Sequence, residues 1–127
     1  MPDPNFLVLY VDDPAASAAF YRDLLGREPV ETSRTFVMFA LDGGPMLGLW
    51  SRRTVEPAAV AGGGGAELAV AVADDAIDAI FADWRARGLS IVQEPTTMDF
   101  GRTLVALDPD GHRLRVFAPT EAKEPVA

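Results

Sequence analysis

The side chains that could perform acid–base or nucleophilic chemistry are few in this sequence and poorly spaced for it. The chain of 127 residues has no cysteine and a single histidine, His112. Thiolate metal ligands and cysteine nucleophiles are therefore excluded, and His112 lacks the nucleophile motif that a catalytic triad needs. Asp12-Asp13 and Asp74-Asp75 have the composition of acid–base pairs, but each precedes an amphipathic segment whose N-terminus it can cap. The sequence thus predicts no catalytic residue.

The two acidic pairs belong to a duplicated stretch of sequence. When "LYVDDPAASAAFYRDLLGREP" is aligned with "VAVADDAIDAIFADWRARGLS", Val11 falls on Val72 and Phe20 on Phe81. Each copy has the alternation of a strand, then an acidic residue at the helix N-cap, then apolar residues at helical spacing. A glycine, Gly26 or Gly88, is expected to end each helix.

Turn-forming residues after each helix predict antiparallel hairpins. "RTFVMFAL" and "PMLGLW" flank Asp42-Gly43-Gly44, and "RTLVAL" and "HRLRVF" flank Asp108-Pro109-Asp110-Gly111. We therefore predict an α+β fold of two βαβββ modules forming curved half-sheets, each backed by a helix. The chain is expected to be a single domain, 1–127, with modules at about 5–57 and 66–118, a Gly-rich linker at 62–65 and a flexible tail at 120–127.

One segment is longer in the second module than in the first. The additional residues fall in "QEPTTMDFG", Gln93 to Gly101, which contains Met98 and Phe100. We interpret it as a lengthened loop, either a surface excursion or a lid over a ligand. In the second case Met98 and Phe100 would contact that ligand.

Charge and composition exclude several classes of partner. The formal net charge is −8, which argues against nucleic acids and anionic membrane surfaces because phosphate groups require a basic face. No run of about 18 apolar residues is present, so no membrane span is predicted. The N-terminal residues are acidic where a signal peptide would be basic, so a cytoplasmic protein is expected.

The combined motifs resemble a known superfamily. With the duplicated module, "VDDPAASAAFYRDLLG" near the front and "DPDGHRLRVF" near the back, the chain resembles the vicinal-oxygen-chelate superfamily of glyoxalase I, extradiol dioxygenases and bleomycin and fosfomycin resistance proteins. The resemblance covers about residues 5 to 118. It implies two half-sheets around a cavity, commonly built by two chains, so a homodimer is expected. "LWS" at 49–51, "FGRT" at 100–103 and "DPDGH" at 108–112 resemble the members that bind phenazine antibiotics.

The resemblance also implies a divalent metal held by one ligand from each of four strands. The matching positions in this chain are Phe6, Gly48, Glu67 and Arg115. Only Glu67 has a suitable donor, whereas a catalytic metal needs about three protein ligands and a guanidinium repels a cation. We therefore expect no metal and no cofactor.

The face that lines the cavity in such a fold is rich in aromatic and small residues. Trp50, the largest apolar surface among them, shares this face with Gly48, which would leave space beside it. A planar aromatic ligand could stack in such a space, but aromatic residues also commonly fill a closed interior, and both interpretations stay open. The predicted wall residues are Phe6, Tyr10, Phe36, Met38, Gly48 and Trp50.

Charged residues near this face have two interpretations. Glu67 and Arg115 could form a structural ion pair at two of the former ligand positions. Arg115 could instead join Arg102 in holding a ligand carboxylate.

These observations predict a metal-free protein that binds a planar aromatic antibiotic or metabolite and confers resistance by sequestering it. The alternative is a glyoxalase-like lyase or dioxygenase with a rearranged metal site. A third hypothesis is a structural or regulatory member of the superfamily without a ligand.

Overall fold

The computed structural model describes residues 1–120 and contains two compact units, with the division between Gly62 and Gly63. Each unit is one βαβββ module, so the predicted α+β architecture is confirmed. Apart from Thr120, the predicted flexible tail lies outside the described residues. The enclosure of a cavity by the half-sheets stays a prediction.

The elements of the first unit are β1 (Phe6–Val11), α1 (Pro14–Leu25), β2 (Glu31–Thr32), β3 (Phe36–Ala40) and β4 (Met46–Ser51).

Local sequence signals determine where α1 begins and ends. Asp13 caps α1, because its Oδ1 accepts hydrogen bonds from the N–H groups of Ala15 at 3.1 Å and Ala16 at 3.4 Å. Gly26 ends the helix with φ of 67°, a left-handed conformation that glycine adopts readily. Both predictions for this helix are confirmed.

The first sheet has the strand order β1-β4-β3-β2, in which β1 and β4 are parallel and the other pairs are antiparallel. Alternate side chains point to the side on which α1 packs, and this side forms the core. Tyr21 of α1 is completely buried there, and Ser17 and Ala18 are nearly so. The sheet residues of this core are Val11, Val37, Phe39, Leu47 and Leu49, all 0–2% exposed.

The second unit repeats the arrangement with β5 (Glu67–Ala71), a 3₁₀ turn (Asp74–Ala76), α2 (Ile77–Ala86), β6 (Ser90–Met98), β7 (Gly101–Leu107) and β8 (Arg113–Pro119). The predicted acidic cap of its helix is wrong. Asp74 and Asp75 form the 3₁₀ turn one turn before α2, and no side chain caps the start of either helical segment by a hydrogen bond. The 3₁₀ turn carries the chain into α2, so the acidic pair does not occupy the N-cap position.

The second sheet has the order β5-β8-β7-β6 and a core beneath α2. Ile77 of α2 is completely buried against Leu104, Val116 and Ala118, and Trp84 packs against this cluster. The β7–β8 hairpin closes as predicted. Asp108 Oδ1 accepts hydrogen bonds from the N–H groups of Asp110 and His112, both at 2.8 Å. That carboxylate is therefore an element of the turn.

The interpretation of residues 93–101 as a loop is wrong. The segment up to Met98 is part of β6 and pairs with β7, and only Asp99 and Phe100 form the connecting turn. Register shifts between Ile91 and Gln93, and again between Gln93 and Thr96, accommodate the additional residues within the strand. The lengthened segment is a longer hairpin with irregular pairing, and Met98 and Phe100 lie at its tip.

Candidate functional site

The strand register of the first unit brings the predicted wall residues together on the side opposite α1. Phe36 is paired with Trp50 and Met38 with Gly48, while Tyr10 is paired with Trp50 from the other side. Paired residues in adjacent strands point to the same face. We call this surface the aromatic face; its members are Phe6, Val8, Tyr10, Phe36, Met38, Gly48 and Trp50.

Trp50 is at the centre of the aromatic face. Its ring is 6.4 Å from that of Tyr10 and 6.3 Å from that of Phe36, with interplanar angles of 78° and 87°. These edge-type contacts hold the indole from two sides in a geometry that aromatic rings favour. The three rings therefore form a fixed cluster rather than three independent side chains.

The space above Gly48 is occupied by a ring of the protein itself. A Cβ on Gly48 would lie 2.7 Å from Cζ and 2.9 Å from Cε1 of Phe36. The expectation that Gly48 leaves room for a ligand beside Trp50 is therefore wrong, because the Phe36 ring occupies that space. The glycine allows the edge of the Phe36 ring at Cζ and Cε1 to lie close to β4, and the same ring makes an edge contact with Trp50.

Part of the aromatic face is open to solvent. Phe6 is 56% exposed, Val8 38% and Tyr10 37%, while Phe36, Met38 and Trp50 are half-buried. An exposed cluster of large apolar side chains is unusual on a protein surface and commonly marks a binding site. The members of the face are therefore accessible along the β1 edge.

In the second unit, Arg115 lies at the centre of a hydrogen-bonded network on the face opposite α2. Its Nε donates to Glu67 Oε2 at 2.6 Å, and its Nη1 donates to Gln93 Oε1 at 3.3 Å and to Thr103 Oγ1 at 3.2 Å. The Arg115 side chain is only 17% exposed. These four residues are called the Arg115 network below. Glu67 and Arg115 therefore form the ion pair that the sequence suggested, with a mostly buried arginine and an exposed glutamate.

Apolar side chains of the β6–β7 hairpin tip adjoin this network. The Phe100 ring is 5.9 Å from that of Phe117 at an angle of 84°, and the Arg115 guanidinium carbon is 5.8 Å from the Phe100 centroid. Gln93 Nε2 donates to the sulfur of Met98 at 3.7 Å. Met98, Phe100 and Arg115, all predicted site residues, are thus brought together.

Arg102 does not share this face. It is paired in register with Ala118, a core residue beneath α2, and its Nη1 donates to Asp78 Oδ1 of α2 at 2.9 Å. The expectation that Arg102 and Arg115 hold one carboxylate together is therefore wrong within this unit. Neighbouring residues of a strand alternate in direction, so Arg102 and Thr103 point to opposite sides, and Arg115 lies with Thr103.

Gln93 and Thr103 were missed by the sequence analysis. Thr103 is fully buried, and its hydroxyl also donates to the carbonyl of Val116 at 2.9 Å. The spacing of the "DPDG" hairpin places Thr103 and Arg115 on one face, which could have identified Thr103. Gln93 could not have been identified, because the irregular register of β6 sets its direction.

A depression of about 470 Å³ also lies in the first unit, between α1 and the segment leading into β3. Its lining includes Asp13, Arg22, Glu28, Ser33 and Arg34. Its lining is mixed, because Ala15, Ala18, Pro29 and Val37 lie beside the charged residues, and no aromatic side chain is among the lining residues for a planar ring to stack on. It contains none of the predicted site residues.

The sequence profile of the Glyoxalase/Bleomycin resistance protein/Dioxygenase superfamily matches residues 4–116 of the chain. The chain belongs to this superfamily. Solved structures share the fold of this chain, as expected for the vicinal-oxygen-chelate superfamily. A protein from Agrobacterium tumefaciens, solved in solution by NMR, is 54% identical with a TM-score of 0.86, over 94% of this chain and 99% of that chain. A glyoxalase/bleomycin resistance protein/dioxygenase from Nocardioides is 26% identical with a TM-score of 0.81, over 100% of this chain and 89% of that chain.

The chain is also similar to the phenazine antibiotic resistance protein EhpR of Enterobacter agglomerans. The two are 30% identical over 116 residues, which is 89% of each chain. The resemblance to phenazine-binding members of the superfamily, which the short motifs indicated, is thereby confirmed.

The metal that this superfamily implies does not fit the residues of this chain. Phe6 and Gly48 carry no donor atom, Arg115 is a cation, and the Glu67 carboxylate accepts the hydrogen bond from Arg115. Within residues 1–120, no three His, Asp or Glu side chains come together in a way that could hold a metal ion.

Residues 1–120 also contain no helix long and apolar enough to cross a membrane.

Proposed function

We propose that this protein binds a planar aromatic antibiotic or metabolite and sequesters it without the aid of a metal. The similarity to a phenazine antibiotic resistance protein fits a resistance or binding role. Phenazine is a flat heteroaromatic ring system, and a surface that binds it by stacking must offer aromatic side chains that solvent can reach.

The observation that carries this proposal is the cluster around Trp50. Edge contacts from Tyr10 and Phe36 fix the indole, while the neighbouring side chains at the β1 edge remain exposed. Aromatic rings held in place lose little side-chain freedom when a ligand binds, so more of the stacking energy is retained as affinity. Phe6, Tyr10, Phe36, Met38 and Trp50 would form the apolar contact surface in this proposal.

The chain allows a direct test with its own fluorescence, because Trp50 and Trp84 are its only tryptophans. In Trp84→Phe, which keeps an aromatic ring in the α2 core, Trp50 becomes the single tryptophan. Titration of this variant with phenazine is expected to quench the emission in a saturable way with one site per chain. A titration without saturable quenching, together with no heat of binding by calorimetry, would contradict the proposal.

We further propose that the working form is a homodimer. Among the described residues, β1 is an edge strand that pairs only with β4, and it exposes apolar side chains on both faces, including Leu7 at 41% and Phe6 at 56%. Uncovered apolar edge strands invite pairing with other chains, and a second copy would protect them.

A further inference from the structure

We propose that the depression between α1 and the segment leading into β3 is a second binding site, which takes a small aliphatic carboxylate. Its lining includes Ala18 of α1 and Val37 of the core, so it lies on the side of the sheet that α1 covers. The aromatic face is on the opposite side. All the lining residues belong to the first unit. The inference therefore goes beyond the proposed function and does not rest on it.

A buried donor of one lining residue has no acceptor. Nε of Arg22 is buried, yet it makes no hydrogen bond with any described residue. Its ion-pair partner, Glu28, is 3.7 Å away through Oε1, which is beyond the range of a hydrogen bond. A buried N–H group without an acceptor is unfavourable, and native proteins nearly always satisfy such groups. A ligand oxygen in the depression would supply the acceptor.

A second guanidinium lines the same depression. Arg34 is exposed, and over the described residues its side chain forms neither an ion pair nor a hydrogen bond. A planar guanidinium binds a carboxylate strongly, because it offers two parallel N–H groups to the two oxygens. Two arginines with unused donors therefore favour a ligand with an anionic group.

The acidic lining residues do not cancel this preference. Oδ1 of Asp13 already accepts from the N–H groups of Ala15 and Ala16 at the start of α1. The Glu28 side chain is 78% exposed, so its charge is screened by water and salt. A ligand carboxylate at hydrogen-bonding distance from Arg22 would displace this longer contact. Glu28 is therefore a competitor for Arg22.

The rest of the lining determines the body of the ligand. Ala15, Ala18, Pro29 and Val37 form an aliphatic part, and no aromatic side chain is present for a ring to stack on. The volume of about 470 Å³ is that of a small-molecule site. A short alkyl chain gains free energy when it is buried against such side chains. The preferred ligand is therefore a carboxylate on a short aliphatic chain.

The test compares three probes, namely hexanoate, its neutral analogue hexanamide, and inorganic phosphate as an anion without an apolar body. Binding is followed at neutral pH by proton–nitrogen NMR correlation spectra, in which each arginine Nε–H group gives its own signal. The signal of Arg22 is identified by its loss in Arg22→Gln. Hexanoate is expected to shift it saturably with one site per chain, and hexanamide should not. Phosphate should require a concentration about tenfold higher, because it buries no apolar surface.

Variants locate the site, with affinities measured from the backbone amide signals of the lining residues. Arg22→Gln should weaken hexanoate binding about tenfold or more, and Glu28→Gln should tighten it about threefold, because a competing carboxylate is removed. Arg52→Gln is the matched control. Arg52 is an exposed arginine of the same unit that does not line the depression, so its loss removes the same charge and should leave the affinity unchanged. Thermal unfolding verifies that the variants are folded.

Several results would overturn this inference. They are the absence of saturable hexanoate binding to the wild type, equally tight binding of hexanamide or phosphate, and an equal loss of affinity in Arg22→Gln and Arg52→Gln. Weaker binding in Glu28→Gln would also overturn it, since Glu28 would then be part of the site. None of these results bears on the proposed function, which the phenazine titration tests separately.

Discussion

Arg115 donates a hydrogen bond through Nε to Glu67 Oε2 at 2.6 Å, so the two charged residues at metal-ligand positions of the superfamily neutralise each other. Gln93 and Thr103 take both donors of Nη1 and complete the arrangement. Arg115 is mostly buried, and these hydrogen bonds together with the ion pair offset the desolvation of its charge. The network therefore has a structural role whether or not it meets a ligand.

The purified protein is expected to carry no stoichiometric divalent metal. Of the four matching positions only Glu67 has a donor, and its carboxylate is engaged by Arg115. Elemental analysis by mass spectrometry after purification without chelators is the measurement. About one zinc, iron, nickel or manganese per chain would instead support the lyase or dioxygenase alternative.

Removal of the Trp50 side chain is expected to weaken ligand binding. Trp50→Ala should reduce the affinity for phenazine tenfold to a hundredfold, about 1–3 kcal/mol, because ring contact and apolar burial are lost together. Trp84→Ala is the matched control. Trp84 is half-buried against the α2 core, so its loss should cost about 3 kcal/mol of unfolding free energy with little effect on binding by the folded fraction. Equal binding by Trp50→Ala and wild type would exclude Trp50 from the site.

Substitution of Gly48 is expected to disturb the aromatic cluster. In Gly48→Ala the new Cβ would approach Phe36 Cζ to 2.7 Å, so the ring must move and Trp50 loses its neighbour. Denaturant unfolding should show a loss of about 1–3 kcal/mol, accompanied by a shift in the Trp50 emission measured with Trp84→Phe in the background. Gly65→Ala is the control, since no atom lies within 4 Å of the added Cβ. An unchanged emission would mean that Phe36 does not support Trp50.

The two arginines are expected to differ because they lie on opposite faces of one sheet. Arg115→Gln should lower stability by about 1–3 kcal/mol, since Glu67, Gln93 and Thr103 lose a common partner within the half-buried network. Arg102→Gln breaks an ion pair whose acidic partner, Asp78, is exposed, and should change stability by at most about 1 kcal/mol. Denaturant unfolding of both variants is the measurement. A loss of stability in Arg102→Gln as large as that in Arg115→Gln would contradict this contrast.

The proposed homodimer is testable at a position outside the aromatic face. Leu7 lies on β1 on the opposite face and is 41% exposed. Leu7→Lys is expected to convert the dimer to a monomer in multi-angle light scattering, because a buried interfacial charge without a partner is strongly unfavourable. Val60→Lys, at a position 99% exposed, should leave the dimer intact. A monomeric wild type at micromolar concentration would contradict the proposal.

Much of the fold could be predicted because its signals are local. Asp13 and Gly26 determine the ends of α1 through contacts within a few residues, and the "DPDG" turn closes on its own carboxylate. The duplicated pattern then requires the same order of elements twice, which the structure contains. The prediction was wrong at Asp74 and at residues 93–101 because a 3₁₀ turn and two register shifts leave no periodic trace in the sequence.

The sequence by itself determined which residues share a face within each strand, because side-chain alternation depends only on the backbone. It therefore predicted correctly that Gly48 and Trp50 lie together. Only the tertiary structure decided how the strands are placed against one another. The parallel pairing of β1 with β4 set Tyr10 against Trp50, and the irregular pairing of β6 with β7 brought Gln93 to Arg115. Register depends on packing between segments distant in the chain, so no single stretch of sequence contains it.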